Sequence, residues 1–273
     1  MKEKLIDNEL LHRISPLIAR PPLRNLVMSV AGLNKANRVY DAAKYLDATE
    51  VADGLLDTLK IIRRVQHIEV LNSPLLAGKP FITVSNHPYG HVDGIMLIGE
   101  VVKVRPDFKV MVNWMLRQID ILENYFIGVN PYTDGEFNAV SSVGGVKSCL
   151  THLQNGHPLG LFPAGSISKN IGHGKARDRE WLPSVIKLIQ HAGVPVVPAY
   201  ISGQNSAFFN FLDRFPWWVR NVRLCHELET KRGKAIDLIF GEPVMPAQLR
   251  AYTDLRELGL FLRETTYKLA ATD

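Results

Sequence analysis

The sequence predicts an α/β protein with a central mixed, largely parallel sheet flanked by helices and an N-terminal helical extension. Two observations set this class. From about residue 66, short β-type runs alternate with helical stretches, the pattern of a sheet whose faces are covered by helices. Before that point, apolar residues recur at three- and four-residue steps with no strand-like run. A third observation, 273 residues of which 46% are hydrophobic and 22% charged, supplies enough apolar material for a sizeable core and argues against disorder. The expected division is a helical extension over residues 1–62, a candidate for membrane contact, and an α/β domain over residues 63–273.

Within the extension, Leu5, Leu10, Leu11, Ile14, Leu17 and Ile18 form one apolar set broken by Pro16, and Val51, Leu55, Leu56, Leu59 and Ile62 form another. Pro21-Pro22 and residues 34–37 punctuate these helices. The expected strands are 67–71, 80–85, 108–112, 125–129, 158–162, 194–201 and 235–240. The expected helices are 94–104, 136–154, 182–192, 216–228 and 254–269. In such sheets, active sites gather where strands end and helices begin.

Charge and cysteine usage narrow the function classes. The net charge of +5 favours anionic partners such as membrane lipid, CoA or an acidic carrier protein. No nucleic-acid motif accompanies it, so nucleic acid is not an expected partner. Cys149 and Cys225 form no Cys-x-x-Cys pair and read as reduced core thiols. The first residues lack the order of a signal peptide, and no apolar run approaches the roughly 20 residues that span a bilayer. A cytoplasmic protein, peripheral on the cytoplasmic membrane, is the expectation.

The chemistry concentrates in Ser85-Asn86-His87-Pro88-Tyr89-Gly90-His91-Val92-Asp93-Gly94. The apolar run 81–85 stops at a turn that Pro88 and Gly90 enforce. An apolar helix starts near Asp93, whose carboxylate suits a helix N-terminus. On one regular helix, residues six apart would point about 120° away from each other. The turn removes that obstacle and lets Asp93 fold back onto His87. A His held by a carboxylate is a general base of fixed tautomer, able to take the proton of an attacking alcohol.

Two further segments follow. In Leu161-Phe162-Pro163-Ala164-Gly165-Ser166-Ile167-Ser168 a second strand runs into a Pro/Gly turn, whose N–H groups at Gly165 and Ser166 suit an oxyanion or phosphate. In Gly193-Val194-Pro195-Val196-Val197-Pro198-Ala199-Tyr200 prolines bracket an apolar strand.

Taken in order, these segments resemble the lysophospholipid acyltransferase superfamily, which carries Asn-His-x4-Asp, then Phe-Pro-x-Gly, then a Val-Pro-Val-x-Pro strand. The form Asn-His-Pro-x-Gly-x-x-Asp-Gly is similar to the hemolysin-like branch, the ornithine- and glycine-lipid O-acyltransferases. That likeness continues at Leu116-Arg117-Gln118, at Ile201-Ser202-Gly203-Gln204-Asn205-Ser206, and at Glu227-Leu228 followed by Lys231-Arg232-Gly233-Lys234. The resemblance implies His/Asp base catalysis by His87 and Asp93. It implies acceptor or oxyanion contacts at Asn86, Arg117, Gly165, Ser166, Ser168 and Lys169, and an acyl channel along Val196, Val197 and Pro198. It also implies acyl-CoA or acyl-ACP as donor co-substrate, a lyso-lipid acceptor, and no further cofactor.

The departures bear on the acceptor. Members that use glycerophosphate usually show Phe-Pro-Glu-Gly-x-Arg-Ser, with a further Arg after the preceding strand. Here Ala164 stands for the Glu, Ile167 for the first Arg, and Asn130-Pro131 follows the strand 126–129. Lacking two arginines that would clamp a phosphate, the chain favours a lyso-aminolipid acceptor, with Lys169, Lys175 and Arg177 nearby as substitutes. A 1-acylglycerol-3-phosphate acyltransferase is the alternative within the family. From other classes, His87, His91 and Asp93 offer a metal hydrolase three ligands, although Pro88 and Gly90 break the helix that would align them. The aromatic segment 208–218, with Arg220 and Arg223, offers a non-catalytic module for a membrane surface.

Overall fold

A computed structural model describes residues 4–271 except 5–6, 9–10, 13–16, 18, 31, 44, 47–49, 114–119, 130–137, 173–174, 215–222 and 225. Among the described residues, seven strands form one sheet in the order β1-β9-β8-β2-β5-β3-β4. These are β1 (Ile62–Gln66), β2 (Ile82–Ser85), β3 (Lys109–Asn113), β4 (Phe126–Val129), β5 (Leu159–Leu161), β8 (Val196–Ile201) and β9 (Ala235–Phe240). A separate antiparallel hairpin pairs β6 (Lys169–Gly172) with β7 (Lys175–Arg177). Strands β8, β2, β5, β3 and β4 run parallel, β9 is antiparallel to β8, and β1 is parallel to β9. The sheet is therefore mixed and mostly parallel, as the alternation of patterns predicts.

The described helices are α1 (Leu23–Val30), α2 (Leu33–Ala43), α3 (Val51–Thr58), α4 (Val92–Val101), α5 (Asn138–Gln154), α6 (Pro183–Ala192), α7 (Ala207–Phe211), α8 (Pro246–Arg250) and α9 (Leu255–Lys268). They cover both faces. One core joins Val51, Leu55 and Leu56 of α3 and Met96, Leu97 and Ile98 of α4 to Val197, Ala199 and Ile201 of β8. The other joins Cys149 and Leu153 of α5, Ile186 and Ile189 of α6 and Leu258 and Leu262 of α9 to Ile82 and Val84 of β2 and to Val196. The split of β8 between the two cores is the two-residue alternation of a strand buried on both faces. Helix α3, from the expected N-terminal extension, packs into the same core as the sheet. No described helix is long and apolar enough to cross a membrane.

One local expectation is corrected, and two elements appear that the sequence pattern does not predict. The first strand lies at Ile62–Gln66, and residues 68–72 form a 3-10 turn entered through His67 at φ 58°. Strand β1 is an edge strand of alternating exposure, so its polar sequence Ile-Arg-Arg-Val-Gln carries little hydrophobic signal. The β6–β7 hairpin is polar and exposed, and escapes a pattern search for the same reason. The short helix α7 begins where Ser206 accepts a hydrogen bond from the Phe209 N–H. The expected helix 216–228 lies mostly outside the described residues.

Candidate active site

Strand β2 sits between β8 and β5, all three parallel, so their carboxyl ends deliver three turns side by side. The main-chain ladder of β2 with β8 ends where Ser85 meets Ala199. Asn86 then prolongs it with its side chain. Its Nδ2 donates to Ile201 O at 2.8 Å and its Oδ1 accepts from Ile201 N at 2.7 Å. Each such bond contributes about 1 kcal/mol. Together they anchor the residue before His87 while the main chain leaves the sheet. Gly90 turns the chain at φ 89°, where a Cβ would also lie 2.4 Å from Ile167 Cδ1. His91 caps the next helix, its Nδ1 accepting from Val92 N at 2.8 Å. The carboxylate expected near the helix start lies in the first turn of α4, at Asp93.

This path brings His87 and Asp93 together. His87 Nδ1 lies 2.9 Å from Asp93 Oδ2. The approach has ion-pair distance without hydrogen-bond alignment, and among the described residues neither Nδ1 nor the other Asp93 oxygen, Oδ1, has a hydrogen-bond partner. Asp93 is buried, and its Oδ2 also accepts from Tyr89 N at 2.9 Å and Gly90 N at 2.8 Å. The carboxylate thus closes the turn that carries the imidazole. Phe162, at the end of β5, packs its ring 4.3 Å from the His87 ring at an interplanar angle of 31°. With Asp93 at Nδ1, a neutral ring protonated there leaves the Nε2 lone pair for a substrate.

The flanking turns hold this one from both sides. From the β5 turn, Ser168 N donates to His87 O at 2.9 Å. Asp178, just past β7, accepts from His87 N at 3.1 Å, Ser168 Oγ at 2.6 Å and Trp181 Nε1 at 3.0 Å. From the β8 turn, Asn205 Nδ2 donates to Pro88 O and Tyr89 O, each at 3.2 Å. Glu227 and Lys231 are fully buried and paired at 3.0 Å. Glu227 accepts from Ser206 N and Oγ, and Lys231 Nζ lies 5.1 Å from the centre of the Tyr89 ring. These hydrogen bonds outweigh the cost of burial and hold the Glu227 carboxyl down at about 2. The Lys231 ammonium is pushed down by burial.

The other expected site residues are distributed differently. Gly165 N donates to Phe162 O at 3.0 Å and so closes its own turn. Ser166 is half-buried beside it, its Oγ 3.5 Å from Ala164 O. Ser168 is buried, with its hydroxyl on Asp178. Lys169 opens the hairpin and is half-buried. Val196, Val197 and Pro198 are all buried, the two valines in opposite cores. Arg117 lies outside the described residues. Arg177 is engaged with Glu264 at 2.6 and 2.7 Å and stacks 4.5 Å from the Tyr267 ring centre.

His91 turns both nitrogens to the backbone, Nδ1 to Val92 N and Nε2 to Leu224 O at 3.0 Å. Its ring is therefore neutral, with the proton on Nε2, and has no lone pair left for a metal. Burial holds its pKa down at about 4. Among the described residues, no cluster of three His, Cys, Asp or Glu side chains suits a metal ion. Reading the sequence alone singles out neither Asp178 nor the stacking of Phe162 on the imidazole. Asp178 follows the ordinary polar run Lys175-Ala176-Arg177, 91 positions after His87, and nothing in its neighbourhood marks it.

A family model described as "Acyltransferase" matches residues 15–272. The sequence matches no curated protein. Among solved structures, the chain is similar to the crystal structure of the 1-acyl-sn-glycerophosphate (LPA) acyltransferase PlsC from Thermotoga maritima. The likeness covers 91% of this chain and 96% of that one at 17% identity, with a TM-score of 0.49.

Proposed function

Starting from the fact that this chain belongs to the acyltransferase family and is an acyltransferase, we propose that it moves a fatty acyl group from acyl-ACP or acyl-CoA to the hydroxyl of a lyso-lipid. The observation that carries this reading is the 2.9 Å approach of His87 Nδ1 to a buried Asp93 carboxylate at the carboxyl end of β2, between the parallel strands β8 and β5. His87 Nε2 takes the proton of the acceptor hydroxyl as its oxygen attacks the thioester carbonyl. Asp93 holds the ring in register and stabilises the imidazolium. The tetrahedral intermediate then collapses, the ester forms, the C–S bond breaks, and the thiol leaves with the proton returned from His87. No acyl-enzyme is required. Cys149 is buried in the second core, and burial pushes its thiol up to about 12.

Within the family, we place the chain on the branch that acylates lyso-aminolipids such as lyso-glycine or lyso-ornithine lipid. Arg177 is engaged with Glu264, and Ala164 and Ile167 occupy the positions where a charged motif would stand. A dianionic phosphate beside the reacting hydroxyl needs paired positive charge, because an unpaired charge costs several kcal/mol to desolvate. Asn86 and Ser168 are assigned to holding the His87 turn, since their side-chain groups are bonded within the protein. The test is the ratio of kcat/KM for a lyso-aminolipid and for lysophosphatidic acid with one acyl donor. A ratio above one is expected. A ratio strongly favouring lysophosphatidic acid would move the chain to 1-acylglycerol-3-phosphate acylation.

The same reading puts the protein on the cytoplasmic membrane surface. Exposed Phe208 and Phe211 on α7 neighbour the hairpin that carries exposed Ile171, and Arg223 and Arg214 lie over the two rings at 5.2 and 5.4 Å. Rings with arginines stacked on them suit the boundary between acyl chains and anionic headgroups.

A further inference from the structure

We propose that Asp178 is a positioning residue for the base. One buried carboxylate fixes the backbone of His87 and the turn carrying Ser168 in a single register, and its negative charge supports the imidazolium formed during transfer. The proposal rests on the general-base reading of His87 and extends it.

Three donors converge on Asp178: the His87 N–H and the Ser168 hydroxyl on Oδ1, and the Trp181 indole N–H on Oδ2. An ionised carboxylate is the side chain that only accepts. An Asn in its place would turn an N–H against one of these three donors. Asp178 is also only 4% exposed. A buried anion is expensive unless hydrogen bonds satisfy it. Here two of the three satisfying donors, His87 N and Ser168 Oγ, belong to the turns that form the site.

Asp178 is braced from the far side as well. Its N–H donates to Tyr267 Oη at 2.8 Å, on α9, and the neighbouring Arg177 grips Glu264 of the same helix. Helix α9 therefore holds the backbone of Asp178, and the Asp178 carboxylate holds the His87 turn. Asp93 approaches the imidazole at Nδ1 and closes the turn after it, and Asp178 holds the main chain of His87 itself, so two carboxylates fix the base from its two ends. Ser168 adds the cross-link, because its N–H donates to His87 O while its hydroxyl donates to Asp178. Base and second turn cannot drift apart without breaking this ring of bonds. Burial raises the affinity of Asp178 for a proton, while the three donors and the charge on a protonated His87 oppose that rise.

The test separates charge and register from plain stability. Asp178→Asn is made in the wild type and in a Trp181→Phe background, where the indole N–H that an amide would oppose is gone. Each protein is characterised by its melting temperature, by kcat and KM, and by the ring signals of His87 in protein labelled with 15N-histidine. The expected result is that the Asp178→Asn penalty on melting temperature shrinks in the Trp181→Phe background. The loss in kcat should persist there at ~10-fold or more, with KM changed less than about threefold, as misplacement of a reacting group predicts. The His87 ring signals should broaden or split.

Tyr267→Phe removes the acceptor of the Asp178 N–H, together with the hydroxyl's contact to Ser168, and keeps the ring under Arg177. It should shift the same readouts in the same direction by a smaller amount, and serves if Asp178→Asn does not fold. Recovery of kcat in step with melting temperature, or unchanged His87 signals, would overturn the proposal. If the wild-type protein transfers acyl groups to no acceptor, the functional reading fails, and the labelled-histidine spectra still decide whether Asp178 orders His87.

Discussion

His87 and Asp93 differ in how much else each one holds, and that difference predicts different failures. The His87 side chain touches Asp93 and the face of Phe162. Its removal takes little from the core. His87→Ala is expected to lose at least ~10²-fold in kcat, the usual scale of a general base, with a nearly unchanged melting temperature. Retained turnover in that variant would rule out the assigned base. Asp93 also receives the N–H groups of Tyr89 and Gly90. Asp93→Asn should therefore lose activity and stability together, by roughly 1–3 kcal/mol for hydrogen bonds left unmet in a buried site.

His91 makes a third residue-level prediction. Its pKa in the folded protein is about 4, below the 6.5 of an unperturbed imidazole, so between these values the unfolded chain binds the proton that the folded chain refuses. The stability is fully present above about pH 6.5 and falls as the pH drops toward 4, by roughly 2 kcal/mol for a ring that retains some exposure. His91→Asn keeps an acceptor for the Val92 N–H and does not titrate. Denaturant melts across this range should show a flatter acid limb in the variant, and parallel limbs would count against the assignment.

At the scale of elements, the unit that matters is strand β2, its turn and helix α4. Gly90 carries the turn because φ 89° is costly for any residue with a Cβ, and because Ile167 fills the space where that Cβ would go. Gly90→Ala should cost about 1–3 kcal/mol through backbone strain. It should also depress kcat, since the displaced N–H of residue 90 is one of the donors that orient Asp93. Thermal melts and steady-state rates check both, and a variant unaltered in each would show that the turn tolerates another shape. The equivalent constraint in the third turn is Gly203, at φ 92°, where a Cβ would collide with Tyr89 Oη. One glycine thus sits within the tyrosine-bearing turn, facing the β5 turn, and the other faces that turn from the end of β8.

At the scale of the molecule, the order β8-β2-β5 decides which turns meet. It places the aromatic helix α7 and the β6–β7 hairpin together on the surface beside the site, where Phe208 is 55%, Phe211 47% and Ile171 60% exposed. Replacing all three with Ser should lower binding to vesicles containing phosphatidylglycerol by ~10-fold or more. Transfer to a short-chain, water-soluble acceptor should stay near the unaltered rate. Undiminished sedimentation with vesicles would move the membrane contact elsewhere on the chain.

The fold class was readable from the alternation of strand and helix patterns, because a strand buried on both faces must be continuously apolar and the helices between must be amphipathic. The meeting of His87 with Asp93 was readable as well, because Pro88 and Gly90 act locally and leave the chain few paths. Partners remote in sequence were not. Asn86 pairs with Ile201 across 115 positions, and Asp178 grips His87 across 91. Hydrophobic period reports whether a residue is buried and says nothing about which distant polar group it meets. For that reason, residues expected at the substrate, Asn86 and Ser168, turn out to spend their side chains inside the protein. The order of strands in the sheet brought β5 and β8 to either side of β2, and only the tertiary structure decides that order, since it depends on which strand edges pair.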